Sequence, residues 1–272
     1  MRIATVAALA AYLTAVCHGQ LNYIGGPVSQ NFDTLSSSGT GNPWTNNSTL
    51  PGWYWLRAPS STVGRQVGGW IDLATYNASD GSSTTGAGYS FGTSGTSERA
   101  LGTIGSGNAA SGDYVYALVI RNMSGLIMTS FTLSYVGEQW RNGGNTSMAP
   151  QTVEFDFKIQ STFASTDLNG DITSGYVADP LLSFTSPINT STAGALNGNL
   201  AVNRVALSNT QSVVVASGDY LILRWFDDNH AGNDHGLAAD DLLFTATLVP
   251  EPGTLAALAL GALALAARRR RK

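Results

Sequence analysis

The feature that most constrains the fold is a period-two alternation recurring along the middle of the chain. Tyr114, Tyr116, Leu118 and Ile120 form one alternating set, and Ile127, Thr129, Phe131, Leu133 and Tyr135 form the next. Val153, Phe155, Phe157 and Ile159 repeat the pattern, as do Leu221, Leu223 and Trp225. Successive side chains of a strand point to opposite faces, so this spacing commits one face of each run to a core. Clusters of Gly, Asn and Ser separate the runs, as turns separate antiparallel strands. No internal window has the 3.6-residue spacing of a long amphipathic helix. About ten such strands over the body predict an all-β fold, an antiparallel two-sheet sandwich of jelly-roll type. A division into two smaller sandwiches near residues 145–150, within RNGGNTSMAP, is the alternative.

The two ends read differently. MRIATVAALAAYLTAVCHGQ places one arginine before an apolar run too short to span a bilayer, then small residues. That is the pattern of a secretory signal peptide over residues 1–19. Cys17 is the only cysteine and leaves with it, so the exported body has neither disulfide nor thiolate ligand and depends on its core. Residues 20–249 form the expected ectodomain, with 17 acids against 8 bases. That acidic balance argues against nucleic acid as a partner and suits solubility or divalent cations.

The chemistry-bearing stretch is RWFDDNHAGNDHGLAADDLLF, residues 224–244. His230 and His235 lack the spacing of a helical zinc motif, and counting from Asp227 puts Ala238 where an EF-hand needs its closing glutamate. The stretch reads as a strand, a loop organised by Asp and Asn side chains, and a returning strand, with both histidines as loop hydrogen-bonders. Asp240 and Asp241 point to opposite faces of that strand, so one faces inward, where a carboxylate is costly unless paired or metal-bound. Trp53 and Trp55 in LPGWYW, and Trp140 between Gln139 and Arg141, are candidate platforms for stacking sugar rings; core packing is the competing role. A secreted polysaccharide hydrolase would need two facing carboxyls, for which Glu138, Glu154 and Asp228 are candidates, but no spacing selects a pair. A plain spacer module is the third possibility.

The last residues read VPEPGTLAALALGALALAARRRRK. Pro250-Glu251-Pro252 precede an uncharged run, Thr254–Ala267, and then Arg268, Arg269, Arg270, Arg271 and Lys272. This order closely resembles the PEP-CTERM sorting signal of Gram-negative bacteria over residues 250–272. The resemblance implies an exosortase as partner, transient anchoring in the cytoplasmic membrane with the basic cluster inside, and removal of the tail near the PEP motif. Delivery to the cell surface or exopolysaccharide matrix would follow. As a helix the apolar run is about 21 Å long against a hydrocarbon core of about 30 Å, a marginal span that flanking arginines can extend.

The order of motifs in the body, NFDTL early and LAADDLLF last, resembles MAM-type and related lectin-like jelly rolls. In those folds an acid in the first strand and one in the last can share a metal. The resemblance thus implies Asp33 with Asp240 or Asp241 around a structural Ca²⁺, because the donors are oxygens. The combined expectation is an exported, non-catalytic adhesion or glycan-contact sandwich.

Overall fold

The computed structural model describes residues 20–251 except 109 and 171–173. The expected signal peptide, the Thr254–Ala267 run, Pro252 and Arg268 to Arg271 lie outside the described residues. Among the described residues no helix is long and apolar enough to cross a membrane.

Two sheets face each other. In the eight-stranded sheet the order is Val177–Ala178, Thr152–Gln160, Tyr220–Asp227, Asp113–Asn122, Trp53–Ala58, Ile71–Asp72, with two short strands joining from the side. The nine-stranded sheet is built around Ile127–Asn142, which pairs antiparallel with both Arg204–Val215 and the last strand, Gly236–Val249. Most pairing is antiparallel; Leu21–Tyr23 against Asp113–Asn122, and Thr75–Ser79 against Ala87–Phe91, are parallel. Each sheet draws strands from both sides of residues 145–150.

The alternation explains the core. Tyr116, Leu118, Phe131, Leu133, Phe155, Phe157, Leu223 and Trp225 fill the space between the sheets. Trp225 sits at its centre, stacked on Trp53 at 5.6 Å and on Tyr116 at 5.6 Å, with Phe155 edge-on at 5.1 Å. Both sheets also carry apolar clusters on their outer faces. Tyr54, Val115, Ala117, Val119, Ile222 and Phe226 line the outside of the eight-stranded sheet beneath Leu168 and Tyr176. On the nine-stranded sheet, Tyr89, Phe91, Ala100, Ile104 and Ala238 gather around Trp140. Two covered outer faces explain why several strands read as nearly continuous buried runs, as in Asp113–Asn122.

The last strand closes the fold from both sides, pairing with Ile127–Asn142 along its length and with Val28–Gln30 through Leu242–Phe244. It carries a β-bulge. Ser134 opposes Leu243 and Val136 opposes Asp240, so Asp241 and Leu242 together face the single residue Tyr135. Asp241 takes φ +49, a left-handed conformation uncommon for a non-glycine residue.

Candidate functional site

The bulge sets what the two adjacent aspartates do. Asp241 is exposed, while Asp240 is 4 % exposed and lies on the Ala238 side of the strand, away from the inter-sheet core. There it meets Glu138, two residues along the neighbouring strand and 1 % exposed, and Glu98, half-buried just before the Ala100–Ile104 strand. One oxygen from each of Glu98, Glu138 and Asp240 lies within 4.8 Å of the other two. The Trp140 indole N–H donates to Glu138 Oε2 at 2.9 Å, and Asn199 Nδ2 donates to Glu98 Oε2. Glu98 Oε1 and Asp240 Oδ1 are buried with no hydrogen-bond partner. Burial raises the Glu138 carboxyl to about 7, and burial with the nearby Glu138, Asp241 and Glu98 charges raises Asp240 further.

The three aspartates expected as metal ligands stand in different surroundings. Asp33 follows the Val28–Gln30 strand that pairs with the last strand, but it is exposed, and its Oδ1 accepts the Arg99 backbone N–H at 3.0 Å while its Oδ2 accepts Asn31 Nδ2 at 2.6 Å. Asp241 is turned to solvent by the bulge. Asp240 is therefore grouped with Glu98 and Glu138, and its carboxylate faces an outer surface covered by the chain instead of the sandwich interior. The alternation around Glu138 could have signalled its face, since Val136, Glu138 and Trp140 share it; Glu98 sits in a connection where no periodicity operates.

Trp53, Trp55 and Trp140, expected as sugar-stacking platforms, are each no more than 1 % exposed. Trp53 and Trp55 are core residues, and Trp140 lies beneath the Gly194–Asn203 segment, where a Cβ on Gly198 would collide with its indole. The pattern that reads as amphipathic aromatic placement is here the pattern of a strand buried on both faces.

The histidine–aspartate loop is built as a hydrogen-bonded turn. Asp113, fully buried, accepts the backbone N–H groups of Asn229 at 2.9 Å and Gln66 at 2.7 Å. His235 Nδ1 accepts the Gly143 N–H at 2.8 Å, which leaves the proton on Nε2 to reach Asn189 Oδ1 at 3.0 Å. Burial lowers His235 to about 4. Burial also opposes charge on His230, but Asp234 at 3.6 Å, together with Asp227 and Asp228, outweighs it and raises the imidazole to about 9. Gly232 adopts φ +94, with Asn145 packed where a side chain would be.

A groove of about 310 Å³ lies beside the Thr152–Gln160 strand, lined by Arg65, Thr152, Glu154, Asp156, Ser183 and Thr185 among others. Arg65 bridges Glu154 at 2.6 Å and Asp156 at 2.9 Å, and its guanidinium lies over the Phe226 ring at 3.9 Å. Half-buried Trp70 packs edge-on to the same ring at 5.5 Å. Of the candidate hydrolase acids, Glu154 lines this groove, Asp228 lies in the loop after Tyr220–Asp227, where burial and then the nearby Asp113 and Glu154 charges raise its carboxyl to about 7, and Glu138 belongs to the other sheet.

A family model described as the PEP-CTERM protein-sorting motif matches residues 248–271. The chain thus carries the sorting signal of exported proteins on an all-β sandwich. No curated protein matches it. Among solved structures, the CBM22-1 xylan-binding domain of Paenibacillus barcinonensis Xyn10C is 11 % identical, with 86 % of this chain and 99 % of that one covered and a TM-score of 0.34. The K3 cleaved adhesin domain of Lys-gingipain from Porphyromonas gingivalis is 14 % identical over 71 % and 91 %, with a TM-score of 0.36. The K2 adhesin domain of Lys-gingipain is 12 % identical over 81 % and 99 %, with a TM-score of 0.38.

Proposed function

We propose that this protein is delivered by an exosortase to the cell surface or extracellular matrix, and that its sandwich acts there without catalysis by contacting glycan. The observation that carries the glycan reading is the groove beside the Thr152–Gln160 strand. Hydroxyls of Thr152 and Thr185, bonded to each other at 2.8 Å, and of Ser183, which accepts the Phe155 N–H at 3.0 Å, stand there with the exposed Glu154 carboxylate and the pinned Arg65 fork. Fixed donors and acceptors in a shallow groove suit the hydroxyl-rich edge of a sugar chain. The acidic body favours a neutral polymer over a polyanion.

The position of the sorting motif supports delivery of an intact fold. The last ladder residue is Val249, opposite Ile127, and the exposed Pro250 and Glu251 follow directly. Scission near the motif leaves every strand of both sheets in place.

Affinity electrophoresis through gels containing the host's exopolysaccharide, or neutral plant and bacterial glucans and xylans, tests the binding reading. Retardation of the exported chain, reduced about tenfold in apparent affinity by Glu154→Gln or Thr185→Ala, supports it; a tenfold change corresponds to about 1.4 kcal/mol. Equal mobility in every gel overturns it. Release of reducing sugar by the wild-type chain would instead return the hydrolase reading.

A further inference from the structure

We propose that Glu98, Glu138 and Asp240 form a Ca²⁺ site that clamps the outer surface of the nine-stranded sheet. The argument begins with spacing. Two oxygens bound to one Ca²⁺ at about 2.4 Å stand at most about 4.8 Å apart. Oxygens of the three carboxylates meet that limit pairwise. They also come from three separate places in the chain: the connection before Ala100–Ile104, the central strand Ile127–Asn142, and the closing strand Gly236–Val249.

The second observation is independent of the clustering. Asp240 is 4 % exposed, and its Oδ1 has no hydrogen-bond partner; Glu98 Oε1 is likewise buried and unpartnered. Buried polar atoms are ordinarily satisfied, and an orphaned one beside two further carboxylates is a donor position open to a cation. Three acids share the space, so their charge is neutralised either by protons or by a bound cation. Among the described residues, no ion pair involves any of the three. Arg99, next to Glu98, directs its guanidinium to Ser90 and Ser79. Arg204 is opposite Glu138 in the ladder but is exposed, and the remaining nearby charge, Asp241, is another acid.

The surrounding contacts resemble an outer shell. The Trp140 indole N–H and the Asn199 amide each hold one oxygen of a carboxylate, leaving the other free to coordinate. All three side-chain donors are carboxylate oxygens, which select a hard cation over zinc or copper, and Ca²⁺ tolerates an irregular set completed by water. Half-buried Glu98 provides the side from which the ion enters. Because Asn199 bonds to Glu98, occupancy would also hold the Gly194–Asn203 segment down over Trp140.

The site goes beyond the expected first-to-last-strand pairing, since it uses neither Asp33 nor Asp241. The test uses the exported chain, stripped with chelator and dialysed. Terbium bound in place of calcium should emit when tryptophan is excited, with Trp140 as the adjacent donor, and added Ca²⁺ should quench that emission. The melting temperature should rise by about 5–10 °C when Ca²⁺ is about a hundredfold above its Kd. Glu98→Gln and Asp240→Asn should abolish both responses, while Asp33→Asn and Asp241→Asn should keep them. The proposal is overturned if wild type shows neither response, or if the responses survive in Glu98→Gln and Asp240→Asn. Both substitutions replace an acid with its neutral isostere, so circular dichroism of each variant separates loss of the site from loss of the fold.

Discussion

Asp156 and Arg224 face each other across two neighbouring strands and form a bidentate pair, Nε to Oδ1 and Nη2 to Oδ2, both at 2.7 Å. Both side chains are at most 1 % exposed. The pair lies on the outside of the eight-stranded sheet, where Tyr176 covers the Arg224 guanidinium at 3.5 Å and Arg65 adds a second cation to Asp156 at 2.9 Å. It joins the strand to the segment above it, since Arg224 also donates to the Asn169 carbonyl.

Removing one partner of such a pair strands the other charge without water. Asp156→Asn is expected to cost about 3–5 kcal/mol in urea denaturation, because the buried Arg224 loses its anion, while Arg65 keeps Glu154. The double substitution Asp156→Leu with Arg224→Met should cost less than Asp156→Asn alone. Equal or greater loss in the double variant would show that the pair is net stabilising beyond its own desolvation.

The histidines give a pH signature. In a chain starting at Gln20, His230 and His235 are the two histidines, so two imidazole resonances are expected by NMR. His235 should stay neutral until about pH 4, and His230 should hold its proton until about pH 9. The signs differ. The stabilisation from His230 is complete below its unfolded value of about 6.5 and disappears as pH rises through 9. That from keeping His235 neutral is complete above about 6.5 and disappears as pH falls through 4. Two resonances titrating together near 6.5 would contradict the loop geometry.

The bulge at Asp241 makes a conformational prediction. Its φ of +49 suits glycine better than any branched residue. Asp241→Gly should be neutral or slightly stabilising, whereas Asp241→Val should lose about 1–3 kcal/mol. A thermal melt of the two variants distinguishes this from a role for the Asp241 carboxylate, in which both would lose stability alike.

Trp225 anchors the interior, touching Trp53, Tyr116, Tyr135 and Phe155. Trp225→Ala should cost about 3–5 kcal/mol, and Trp225→Phe clearly less, measured as a shift in denaturation midpoint at constant slope. A small effect of the alanine variant would mean that the core is not packed around this ring.

The period-two runs made the strands and the inter-sheet core legible, because Tyr116, Phe131, Phe155 and Trp225 each sit on the face their alternation assigns. Trp53 and Trp55, two residues apart, share the inter-sheet core, the role that competed with sugar stacking, and Trp140 is buried on the outer face of the other sheet. Alternation tells which face a residue takes, but not whether a connection elsewhere in the chain will cover that face, as residues 194–203 cover Trp140. Asp240 was legible as a costly carboxylate, and its partners were not. Glu98 reaches it through a connection without periodicity, and the bulge that turns Asp241 outward depends on pairing with Tyr135, a contact far away in sequence.

The central claim is that the chain is exported and sorted at its tail before acting outside the cell. Fractionation and intact-mass measurement of the chain, in a host with and without its exosortase, test it most directly. The expected result is a surface or matrix form beginning near Gln20 and ending near Pro250–Pro252, and a membrane-retained form keeping Arg268–Lys272 when the exosortase is absent. The same mass and the same fraction in both hosts would contradict it.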